Sequence, residues 1–148
     1  MALTLKTPTL ACALSAWLLA TAPAAWAHDN ATLDSIKSHN GGQVRAAGEY
    51  HLELLLAPPG TSAGAAQVVV LVTDHAGIKS AIAGATGSAT ILSGSKKTVV
   101  KLAPQGGRMV GEGSYVSAPD TKVIVNLTLP GHPTVAARFT PGSSGQAR

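Results

Sequence analysis

Cysteine is all but missing from this chain of 148 residues: the single one, Cys12, falls in an apolar opening segment. Everything after that segment has neither a disulfide nor a thiol, which excludes redox pairs and thiol nucleophiles there. Aromatic residues are almost as scarce. Trp17 and Trp26 share the opening segment with Cys12, leaving Tyr50, Tyr115 and Phe139 for the rest. Charged residues make up 12% of the chain, the net charge is +4, and only Lys96, Lys97 and Lys101 cluster. A nucleic-acid surface needs a dense basic stripe with stacking rings. Neither is present, and the three lysines read as a solvated hairpin. No Walker phosphate loop, no G-x-G-x-x-G and no H-E-x-x-H occurs. Asp, His and Ser are all available, but no local context arranges them as a triad. The chain reads as a protein that is not an enzyme.

What is present begins with an export signal. Lys6 precedes an apolar run from Leu10 to Ala22, and small residues then close on Ala25-Trp26-Ala27. That is the charged, apolar, A-x-A order of a secretory signal peptide. The run is interrupted by Ser15 and Thr21 and is too short to span a bilayer. No later segment is apolar enough to be a membrane helix. Cleavage after Ala27 leaves a protein that starts at His28, and Ala22-Pro23-Ala24 is a second cleavage sequence. An exported domain without disulfides must rely on its core, which suits a bacterial periplasm.

Beyond the signal the apolar period is two, the period of strands. Tyr50, Leu52, Leu54 and Leu56 alternate with His51, Glu53 and Leu55. Further strands are expected over 67–73, 86–92, 97–102, 108–112, 121–129 and 134–140. The first pair of these with a tight turn is separated by Ser93-Gly94-Ser95-Lys96. Residues 77–85 read as an irregular crossing and 57–66 as a small-residue loop. About seven short strands at turn-delimited spacing predict one antiparallel, immunoglobulin-like β-sandwich. Its expected span is 28–140, after the signal over 1–27 and before a disordered tail over 141–148.

Five histidines follow the apolar run: His28, His39, His51, His75 and His132. His39 precedes a glycine turn, His75 sits in Asp74-His75-Ala76-Gly77, and His132 lies between Gly131 and Pro133. Taken singly, each has an ordinary turn role. His51 shares a strand face with Glu53, about 6.6 Å away at two residues' rise. An imidazole and a carboxylate at that spacing can converge on one ion. His28, as an amino terminus, offers its α-amine and ring Nδ1 to the same metal in a small chelate ring. Nitrogen and carboxylate donors favour Cu(II), with Zn(II) or Ni(II) behind it, whereas Cu(I) prefers sulfur. Met109 is the one sulfur left once the signal is removed.

The stretches HNGGQVRAAGEYHLEL from His39 to Leu54, VVVLVTDHAG at 68–77, GATGSATILSG at 84–94 and VIVNLTLPG at 123–131 resemble small periplasmic proteins of heavy-metal efflux systems. They are similar also to the amino-terminal β-domain of some periplasmic adaptor subunits of those pumps. The likeness covers most of the chain after the signal and rests mainly on turn chemistry. Asn40 departs from it by interrupting an H-G-G run. A terminal histidine resembles the copper-resistance β-sandwich proteins, although their methionine-rich segment is missing. The resemblance implies copper or another transition metal as ligand, and components of a metal efflux pump as partners.

The function expected from these readings is a periplasmic accessory protein that binds or handles a divalent transition metal. The ligand candidates are His28 first, then His51 with Glu53, then His39 and His75. The competing expectation is an interaction module that binds no metal and docks on an envelope complex through a sheet edge. The first test is of the terminus. Intact mass of the exported protein should correspond to a chain beginning at His28. A mass beginning at Ala25 would bury the histidine inside the chain and remove its amine from the chemistry.

Overall fold

The computed structural model describes Leu33, Ser38, residues 40–56 and residues 65–142. The expected signal, His28, His39 and residues 143–148 of the expected tail lie outside the described residues. Eight strands occur: β1 (Gln43–Ala47), β2 (Tyr50–Leu55), β3 (Ala65–Asp74), β4 (Thr86–Ser93), β5 (Lys96–Gln105), β6 (Arg108–Ser114), β7 (Lys122–Thr128) and β8 (Val135–Phe139). Among the described residues no helix is long and apolar enough to cross a membrane.

All strand pairs are antiparallel, and the hydrogen-bonded order is β1-β2-β3-β6-β5-β4-β7-β8. The meander β4-β5-β6 is flanked by β7 on one side and β3 on the other, so each flank completes a Greek key. The two edge strands, β1 and β8, lie against each other. The seam is bridged where the Thr140 amide donates to Gln43 Oε1 at 2.8 Å. The architecture is therefore all-β and antiparallel as expected, but it has eight strands rather than about seven. They form one sheet folded into a nearly closed barrel, not two separate sheets.

The additional strand is β1. Its inward positions, Gln43, Arg45 and Ala47, are buried, yet two of the three are polar, so apolar alternation gives no sign of it. The other strands follow the expected pattern. Tyr50, Leu52 and Leu54 on β2, Val68, Val70 and Val72 on β3, and Val123, Val125 and Leu127 on β7 all enter one core. Leu56 lies just past β2, partly buried against that core. Residues 75–85 run irregularly between the two halves, tied back by the Ser80 amide to Val72 O at 3.0 Å.

β5 is the fold line. Its residues 96–102 pair with β4, while Ala103–Gln105 pair with β6 through a turn at Gly106 and Gly107. Both glycines have positive φ, 57° and 75°, as a type I′ turn requires. Farther along, Val100 and Leu102 lie directly over Gly111 and Gly113, the inward positions of β6 that follow the buried Met109. A Cβ on Gly111 would collide with the Lys101 carbonyl, and one on Gly113 with the Val100 side chain. Replacing Gly111 by Ala should therefore destabilise the protein by about 3 kcal/mol, the upper range for overpacking, because a backbone carbonyl cannot rotate away. Thermal unfolding checks this, and an unchanged midpoint would show that β5 does not cross there.

Candidate functional site

β2 and β3 are consecutive and antiparallel, so the start of β2 lies beside the end of β3. The register pairs Tyr50 with Asp74 and His51 with Thr73. Immediately after this pair the chain turns. Asp74 Oδ1 accepts from the amides of Ala76 (2.9 Å) and Ile78 (2.8 Å), while Asp74 O accepts from Gly77 (3.0 Å). This side-chain-closed turn holds the exposed His75 over the outer face of β2. There its ring meets His51 with centroids 4.7 Å apart and planes at 70°. His75 Nε2 lies 3.4 Å from Gly48 O. His51 is half-buried and its Nε2 atom is buried. Two of the expected ligands are thus brought together.

Glu53 is on the same outward face but is occupied elsewhere. Its carboxylate accepts from Asn40 Nδ2 at 2.8 Å and from the Gly42 amide at 3.0 Å. Gly42 sits so close to β2 that a Cβ would meet Leu54 O. The Ser38 hydroxyl donates to Gly42 O at 2.7 Å, completing the turn. Glu53 therefore clamps the approach to β1, while the ring that His51 meets is that of His75. Sequence spacing favoured the i, i+2 neighbour. The cross-strand partner was legible only from the antiparallel pairing of two consecutive strands, which sets Asp74-His75 beside Tyr50-His51. His132 is exposed in its turn, edge-on to the Tyr50 ring at 5.9 Å, away from His51 and His75. His28 and His39 lie outside the described residues.

Imidazole nitrogens about 2.0–2.1 Å from one ion place two ring centroids roughly 4.5–5 Å apart at cis or tetrahedral angles. The His51–His75 separation falls in that interval, and at 70° the two rings make an edge-to-face contact. A ring whose Nε2 faces a backbone carbonyl ligates through Nδ1, which is the arrangement Gly48 O sets for His75. Two imidazoles suit Cu(II), Zn(II) or Ni(II). Among the described residues no group of three His, Cys, Asp or Glu side chains forms a metal-holding cluster. The spelling Gly60-Thr61-Ser62-Ala63-Gly64 matches a nucleophile elbow, but a strand, β3, follows it rather than the helix an elbow needs. No family model, no curated protein and no solved structure matches this chain.

If Glu53 serves the turn, Glu53→Ala should cost about 1–2 kcal/mol through loss of its hydrogen bonds, and should leave metal binding by His51 and His75 in place. A variant with native stability and lost metal binding would return Glu53 to the ligand set.

Proposed function

We propose that this chain is a periplasmic accessory protein of a heavy-metal efflux or resistance system, and that it handles Cu(II) as cargo. The observation that carries the reading is the His51–His75 pair, two imidazoles with centroids 4.7 Å apart on an outer sheet face. Supporting it are the export-type opening of the sequence and the resemblance of the His39–Leu54 and 68–77 stretches to such proteins. His51 and His75 would supply two nitrogens; the α-amine and ring of a terminal His28, which lies outside the described residues, are the further nitrogen donors that the sequence offers. A nitrogen set without thiolate holds the divalent ion, so the protein would accept and release Cu(II) without changing its oxidation state. Zn(II) and Ni(II) are weaker competitors for the same donors.

The competing reading, a metal-free module docking through a sheet edge, has less to use, because β1 and β8 lie against each other. Copper titrations of four variants beside the native protein separate these readings. His75→Ala and His51→Ala should each weaken Cu(II) binding by about 10-fold or more, the scale of losing a ligand or its orienting partner. One extra Ala before His28 keeps the imidazole but breaks the terminal chelate, and should weaken binding as much as His28→Ala. If no variant changes the titration, or the native protein binds no Cu(II), the metal reading falls and the docking module stands.

A further inference from the structure

Charge is segregated between the two halves of the barrel. None of the strands β4, β5, β7 and β8 contains an aspartate or a glutamate. The described acids lie elsewhere: Glu49, Glu53, Asp74 and Glu112 on the β1-β2-β3-β6 half, and Asp120 before β7. The register then gathers cations that are distant in sequence. Leu92 stands between Lys97 and Lys122, and Thr90 between Val99 and Ile124, with Arg138 beside Ile124. In the next row Ser88 stands between Lys101 and Asn126. All of these are outward positions, alternating with the buried Ala89, Ile91, Val100, Val123 and Val125. At about 4.8 Å between strands, Lys97 and Lys122 are roughly 10 Å apart across Leu92.

Two further features mark this face. Its centre exposes aliphatic side chains, Val99 at 59% and Leu92 at 41%. Beside them is a shallow depression of 510 Å³ lined by Thr86, Ser88, Lys101, Asn126 and Thr128 among others. Hydroxyls, an amide and an ammonium around one depression are donors for a phosphate group. With no aromatic side chain on these outward positions, nucleic-acid stacking is not available. A flat array of cations around short aliphatic tips instead matches an anionic bilayer surface, where phosphates meet the donors and the tips enter the headgroup layer.

We propose that the outward face of β5-β4-β7-β8 is a docking face for anionic phospholipid, a property independent of the copper reading. It would hold the exported protein against a membrane with the His51–His75 half turned away. The test is co-sedimentation of the exported protein with phosphatidylcholine vesicles, with and without added phosphatidylglycerol. Binding is expected only with phosphatidylglycerol, and it should weaken as salt rises. Lys97→Gln and Lys122→Gln should each reduce it about five-fold, and together about 25-fold. Lys79→Gln, an equal change of net charge on the exposed crossing, should leave it unchanged. Equal loss with Lys79→Gln, or equal binding to phosphatidylcholine alone, overturns the proposal. Competition by millimolar inorganic phosphate that abolishes vesicle binding would also overturn it, assigning the depression to the free anion.

Discussion

Everything in this barrel depends on one close approach, that of β5 over β6 at Gly111 and Gly113. A chain with no disulfide after its opening segment relies on a mainly aliphatic core, in which Tyr50, Tyr115 and Phe139 are the aromatic members. The aliphatic stripes of β2, β3 and β6 must therefore meet those of β4, β7 and β8 in one core. β5 brings this about by belonging to both halves, pairing with β4 over most of its length and with β6 at its end. Because its Val100 and Leu102 rest directly on the inward side of β6 beyond Met109, positions 111 and 113 have room only for glycine.

The closed core leaves chemistry to the outward positions, and the two halves use them differently. On one half the β2–β3 pairing sets His51 beside the turn that carries His75, while Glu53 fastens the chain before β1. Asp74 closes the turn with four hydrogen bonds, its own amide donating to Ile78 O among them, so His75 is held at its place by the loop's own polar groups. The other half is cationic and free of carboxylates on its strands. The imidazole pair and the carboxylate-free strands thus belong to different halves of the barrel.

Seven of the eight strands were legible because their inward residues are apolar at a period of two and glycine turns bound several of them. β1 was not, since Gln43 and Arg45 take inward positions and Gln43 serves the seam through Thr140. The start of β3 at Ala65 was hidden for a related reason: Ala65 and Ala66 continue a small-residue stretch without alternation. That the strands form one folded sheet was not legible either, because it depends on where β5 changes partners. The same limit applies to the site. His51 and its outward face follow from local alternation, but its neighbour His75 is 24 positions away and is joined to it only by register. Lys96, Lys97 and Lys101 read as a solvated hairpin until Lys122 and Arg138 are placed beside them by β4 and β7.

The metal reading asks a pair of imidazoles to act as a unit at the β2–β3 end, with a terminal amine and ring completing the set. The most direct measurement of that claim is the electron paramagnetic resonance spectrum of the protein prepared to begin at His28, with one equivalent of Cu(II). The account predicts a nitrogen-rich tetragonal spectrum whose nitrogen couplings diminish when His51 and His75 are both replaced by Ala. A spectrum of copper bound by oxygen alone, or a nitrogen-rich one that the double replacement leaves intact, would contradict it.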